Sequence, residues 1–135
     1  MQAVKEINFT DEYLFQGNED LPSVKLSKSK NIFEITGKSL PEDVTEFYQP
    51  IIDWFSMYAL NPNEKTIVDF KLEYLNSGSS KMIFSVLQKL QEIHFKGKEV
   101  LARWHYQIED EDLRDEGRGY AEKLDMPFEL IDYSD

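Results

Sequence analysis

The sequence predicts an α/β fold: one mixed sheet of about five strands with three main helices. Three observations carry this. Apolar residues alternate with polar ones in several short runs, the period of strands with one buried face. Between the later runs lie longer stretches with apolar residues at helical spacing. Two early strand-like runs are separated only by a short polar turn, which reads as a hairpin.

Taken in order, residues 1 to 21 mix apolar side chains with carboxylates, and an edge strand is expected near Val4 to Phe9. Pro22 to Ser27 and Asn31 to Thr36 form the hairpin, with Val24 and Leu26 matched to Ile32 and Ile35, and Gly37 ends it. Ser39-Leu40-Pro41-Glu42 has the pattern of a capping box opening a helix. Along that helix Val44, Phe47, Tyr48, Ile51, Ile52, Phe55 and Tyr58 make one apolar face. Pro50 falls inside it and is expected to bend it, and Asn61-Pro62-Asn63 stops it. From Thr66, Val68, Phe70, Leu72 and Tyr74 alternate with Asp69, Lys71 and Glu73 as a strand. After Asn76-Ser77-Gly78-Ser79-Ser80, a helix follows from Met82, Ile83, Val86, Leu87, Leu90 and Ile93. Gly97 is its C-terminal cap. Lys98 to Tyr106 is apolar on both sides, as an inner strand would be. Glu109 to Asp112 places carboxylates at the start of a third helix through Leu124, where the dipole favours them. Gly117 and Gly119 weaken that helix unless close packing needs them, and Pro127 to Tyr133 supplies the last strand. The late alternation of strand and helix favours parallel pairing. No repeat or linker divides the chain, so residues 1–135 are expected to form one domain.

Composition narrows the chemistry. Fifteen basic residues against 26 acidic ones give a net charge of −11, which opposes binding to nucleic acid or anionic lipid. Hydrophobic residues at 41% are enough for a core, and the absence of cysteine excludes disulfides and thiolate chemistry. His94 and His105 have no metal-like spacing, and Glu109 to Asp112 lacks the ligand pattern of a calcium loop. No cofactor is expected. No signal-like or membrane-spanning apolar run is found, so the expected location is the cytoplasm.

The best candidate site is the strand-to-helix turn from Asn76 to Lys81, where three hydroxyls meet unpaired helix-start amides. The serines read either as a helix cap or as a phosphorylation switch at Ser77. Phosphate there adds about −1.5 to −2 charges at a surface a partner would use. A small-ligand or nucleotide module with a pocket near this turn is a second class. A hydrolase using Ser77 or Ser79 is a third, and neither serine has a histidine nearby in sequence. Asp69, Lys71 and Glu73 read as a solvated ladder on one strand face rather than an acid/base pair.

Several stretches carry a wider resemblance: Phe47-Tyr48-Gln49-Pro50-Ile51-Ile52-Asp53-Trp54, Phe70-Lys71-Leu72-Glu73-Tyr74-Leu75-Asn76-Ser77, Arg103-Trp104-His105-Tyr106 and Leu124-Asp125-Met126-Pro127-Phe128. In these the chain resembles the SiaC-type regulatory phosphoproteins, bacterial partner-switching proteins with a fold like that of the anti-anti-sigma (STAS) domains. The resemblance implies a non-enzymatic regulator that binds a diguanylate cyclase when unmodified and promotes cyclic-di-GMP synthesis. It also implies a dedicated Ser/Thr kinase that modifies one residue and a PP2C-type phosphatase that restores it. Ser77 falls where the family carries its phosphorylated threonine, and Asn76, Gly78, Ser79, Ser80 and Lys81 fall on the neighbouring partner-binding positions. Gly78 stands where the family usually has serine. The resulting Ser-Gly pair is similar to the phosphosite of sporulation-type anti-sigma antagonists, which keeps an anti-sigma factor antagonist as an alternative.

Overall fold

The computed structural model describes residues 10–134. Six strands and three helices follow in the order β1 (Glu12–Phe15), β2 (Ser23–Ser27), β3 (Ile32–Ser39), α1 (Val44–Tyr58), β4 (Lys65–Leu75), α2 (Ser77–Phe95), β5 (Glu99–Gln107), α3 (Glu111–Lys123) and β6 (Phe128–Tyr133). The sheet has six strands rather than about five. The extra one, β1, is a four-residue edge strand in a carboxylate-rich stretch too short to show a period. The strand expected at Val4 to Phe9 lies outside the described residues.

Strand order in space is the order in sequence, β1-β2-β3-β4-β5-β6. β1, β2 and β3 pair antiparallel, and β3 to β6 pair parallel. Parallel neighbours joined by right-handed crossovers, each stepping the same way across the sheet, place their helices on one face. Burial agrees. Phe33, Ile35, Val68, Phe70, Leu72, Val100, Ala102 and Trp104 are buried, while the residues between them along each strand are half-buried or exposed. The helices therefore cover one side of the sheet.

α1 lays Tyr48, Ile51, Ile52, Trp54, Phe55 and Tyr58 into this core. Trp54 stacks on Tyr58 with ring centroids 5.2 Å apart, and the Tyr58 hydroxyl is 2.6 Å from the buried Thr66 hydroxyl. The helix runs unbroken through Pro50. On α3, Gly117 lies against Trp104: a Cβ there would fall 2.4 Å from Trp104 Cδ1 and 2.6 Å from Leu130 Cδ2. Close packing thus explains Gly117, whereas nothing lies within 4 Å of a Cβ at Gly119.

Three local expectations are corrected. Gly37 does not end the hairpin. β3 continues to Ser39 through a register shift between Gly37 and Lys38, and Gly37 takes the positive φ of +118° that this irregularity needs. Leu26 pairs with Phe33 rather than Ile32, which faces Ser27 and is exposed. Ser39 does not cap α1. The cap is Asp43, whose carboxylate accepts from the Glu46 amide at 3.0 Å, and Ser39 is sealed in the interior at the end of β3.

Candidate functional site

The site stands where β4 hands over to α2. Asn76, in extended backbone, caps the helix: its Oδ1 accepts from the Ser79 amide at 2.8 Å. Its own amide donates to the Ser39 carbonyl at 3.1 Å, and its Nδ2 donates to the Pro41 carbonyl at 3.4 Å. The turn is thereby tied to the end of β3 and to the loop that enters α1.

The serines then point in different directions. Ser77, the first helical residue, is exposed, and so is Lys81 one turn on. Gly78 is half-buried because a Cβ there would stand 2.9 Å from Val44 Cγ1, so α2 presses its first turn against the start of α1. Ser79, expected among the partner-binding positions, is instead fully buried. Its hydroxyl donates to the Ser39 carbonyl at 3.1 Å and accepts from Ser39 Oγ at 2.8 Å. Ser39 Oγ in turn lies 2.5 Å from the Tyr48 hydroxyl. Burial pushes the Tyr48 phenol up to about 12 against the pull of its hydrogen bonds with Ser39 and Ser79, so it stays protonated.

Ser80 is half-buried and bound to α3. Its Oγ donates to the Glu116 carboxylate and lies 3.0 Å from the Tyr120 hydroxyl, which donates to the Ser80 carbonyl at 2.9 Å. Burial, followed by the hydrogen bond with Glu116, pushes the Tyr120 phenol well above its ordinary range. Of the three hydroxyls in the turn, one faces solvent and two brace the helix start.

Residues absent from the sequence-derived site belong to it structurally: Ser39, Tyr48, Glu116 and Tyr120. Ser39, Glu116 and Tyr120 lie 36 to 40 positions from the turn serines they meet, Tyr48 joins them through Ser39, and no spacing rule reports such pairs. Tyr74, expected on the buried face, is 56% exposed beside the turn because β4 has run past the core by that point.

The hydrogen-bond partner of His105 is Asp69, at 2.8 Å, and His94 sits in the last turn of α2. Neither is a hydrogen-bond partner of Ser77, Ser79 or Ser80 among the described residues. The expected ladder on β4 is also rearranged. Asp69 takes a bidentate pair from Arg103 on β5 at 2.7 and 3.0 Å, and Lys71 lies over the Tyr133 ring at 4.3 Å. Burial raises the Asp69 carboxyl, but the hydrogen bonds from Arg103 and His105 outweigh it and hold the group below its usual value. Among the described residues no group of histidine and carboxylate side chains is placed to hold a metal. No helix there is long and apolar enough to cross a membrane.

The chain thus presents a one-sided α/β sheet with an exposed seryl hydroxyl on a braced rim. Comparison with known proteins makes that specific. Residues 15–133 match the family model described as SiaC family regulatory phosphoprotein, and the chain belongs to that family. A relative in Pseudomonas aeruginosa (strain UCBPP-PA14), an uncharacterised protein, is 27% identical over 114 residues, covering 84% of this chain and 90% of its own. The chain is also similar to SiaC of Pseudomonas aeruginosa, with a TM-score of 0.83 and 25% identity over 92% of this chain and 100% of that one. A further similar structure is that of SiaC in complex with the diguanylate cyclase SiaD, of which it is the activator (TM-score 0.82, 25% identity, 90% and 99% coverage).

Proposed function

We propose that the chain works as one cytoplasmic, non-enzymatic regulatory domain, a partner switch thrown at Ser77. In its unmodified form the rim from Asn76 to Lys81 engages a diguanylate cyclase and promotes cyclic-di-GMP synthesis. A Ser/Thr kinase adds phosphate to Ser77 and releases the cyclase, and a PP2C-type phosphatase returns the protein to its binding form. The observation that carries this reading is the sorting of the serines: Ser77 alone in the turn offers an exposed hydroxyl, while Ser79 is sealed and Ser80 is held by Glu116 and Tyr120.

The physics of release follows from position. Ser77 is exposed, so a phosphate can be added without disturbing the core. It brings about −1.5 to −2 charges and a bulk that a closely fitted partner has to accommodate. The Asn76 cap and the Ser79–Ser39 bonds keep the turn rigid, so the added group is displayed rather than absorbed by local rearrangement.

Titration calorimetry against the cyclase tests this. Ser77→Ala is expected to bind like the wild type, and Ser77→Asp about tenfold more weakly or worse. Equal affinity for Ser77→Asp and wild type would sink the charge-switch account.

A further inference from the structure

A groove opens between β1 and the first turns of α1, with a volume of about 420 Å³. Its floor is aromatic. Tyr13, Phe15 and Phe47 are each half-buried, and Phe15 meets Phe47 edge-on with centroids 5.3 Å apart. Its rim is acidic: Glu42, Asp43 and Glu46 are all exposed. Among the described residues no lysine or arginine lines it. Elsewhere several carboxylates have a cation nearby, as Glu12 has Lys30 and Glu64 has Lys98. Glu42 and Glu46 have no ion-pair partner among the described residues, and Asp43 spends one oxygen on the α1 cap.

An apolar concavity walled by carboxylates, with no basic side chain among the described residues that line it, selects its occupant by sign on a chain of net charge −11. Acidic segments and nucleic acid are repelled. A segment with lysine or arginine on either side of an apolar side chain satisfies both halves of the groove. Such a segment removes the remaining ring surface from water while its cations meet the rim. We propose that this groove docks a cationic segment of a partner protein, an apolar side chain seated among Tyr13, Phe15 and Phe47 and its basic neighbours paired with Glu42, Asp43 and Glu46.

The groove is continuous with the Ser77 rim. Asn76 Nδ2 reaches the carbonyl of Pro41, which lines the groove, and Gly78 faces Val44 directly after the groove residues Glu42 and Asp43, so the two surfaces adjoin. Phosphate at Ser77 adds to the negative field here and favours a cationic occupant. The two surfaces thus respond to modification with opposite sign: the rim loses its close-fitting partner, and the groove keeps or strengthens its own. This last step rests on the reading of Ser77 as the switch. It suits a partner that has to hold the protein in both states, as an enzyme adding or removing the phosphate does.

The test uses the full chain and three labelled peptides: Lys-Arg-Phe-Leu-Lys-Arg, the acidic Glu-Asp-Phe-Leu-Glu-Asp and the polar Lys-Arg-Ser-Ser-Lys-Arg. Fluorescence anisotropy is expected to show binding of the first only, weakening as salt rises from about 0.05 to about 0.5 M, with NMR shifts centred on the rings of Tyr13, Phe15 and Phe47. Glu42→Lys with Glu46→Lys, both exposed and outside the core, is expected to cost about tenfold in affinity with the unfolding midpoint little changed. Ser77→Asp is expected to bind this peptide at least as well as wild type. Equal binding of the polar peptide, shifts centred away from the groove, or no loss in the double reversal each overturns the groove. Weaker peptide binding by Ser77→Asp overturns the opposite-sign response alone. Failure of the switch itself is read separately, from cyclase binding by Ser77→Asp with the groove unaltered.

Discussion

Replacing Ser79 by alanine and Ser77 by alanine separates the two jobs that adjacent hydroxyls perform. Ser79 is fully buried, and its loss removes two hydrogen bonds: one to the Ser39 carbonyl at 3.1 Å and one from Ser39 Oγ at 2.8 Å. Neither Ser39 group is left wholly unpaired. The carbonyl still accepts from the Asn76 amide at 3.1 Å, and Oγ keeps the Tyr48 hydroxyl at 2.5 Å. A net hydrogen bond contributes about 0.5–1.5 kcal/mol, and an orphaned buried group costs about 1–3 kcal/mol. With partners retained, Ser79→Ala should cost about 1–2 kcal/mol. Ser77→Ala changes an exposed side chain and should stay within about 0.5 kcal/mol. Urea unfolding followed by tryptophan fluorescence reads both, as a lower midpoint for Ser79→Ala at unchanged slope. Phosphorylation by the kinase, resolved by mass spectrometry, is expected in Ser79→Ala and absent in Ser77→Ala. A Ser79→Ala protein that is fully stable yet resists phosphorylation would refute the division between bracing and displayed hydroxyls.

Other expectations follow from the packing. Gly117→Ala drives a methyl into Trp104 and Leu130 and should destabilise by about 1–3 kcal/mol, whereas Gly119→Ala meets nothing and should stabilise by up to about 1 kcal/mol; thermal unfolding of the pair distinguishes them. Asn76→Ala removes the α2 cap and the tie to Pro41 and should lower stability by about 0.5–2 kcal/mol, seen as faster amide exchange in the first turn of α2. Asp69 has a lowered native pKa, so its contribution is present above the unfolded carboxyl value of about 3.9 and is lost as pH falls through the native one. Asp69→Asn should therefore be least stable relative to wild type near neutral pH, with the gap closing in acid; a gap independent of pH would count against the Arg103 and His105 pairing.

Period and punctuation made most of the fold legible. The run of Val68, Phe70 and Leu72, the helix from Met82 to Ile93 and the cap at Gly97 all stand where their spacing placed them, because each is decided by local geometry and burial of one face. What failed depended on neighbours far along the chain. Ser39 looked like a cap since Glu42 follows at the right distance, but a capping box says nothing about the buried Tyr48 and Ser79 that claim its hydroxyl. The turn at Asn76 to Lys81 was visible as a place, yet its serines could not be told apart. Whether a hydroxyl faces water or Glu116 depends on where α3 packs, and α3 begins about 30 residues later. Tyr74 was misplaced for a similar reason: alternation fixes its side of the strand and not where the core ends.

The identity of spatial and sequential strand order bears on how the chain assembles during synthesis. Each strand after β1 finds one neighbour already emerged from the ribosome, since it pairs with the strand made just before it. Each docking step closes a loop no longer than one crossover, so the entropy of closure stays small at each stage. Growth can proceed from β2 and β3 towards β6 with a single advancing edge, and the rim that carries Ser77 is completed only when α3 arrives to hold Ser80. A nascent chain would thus complete this turn only once α3 has been made, with β3, β4 and β5 already available to pair beneath it.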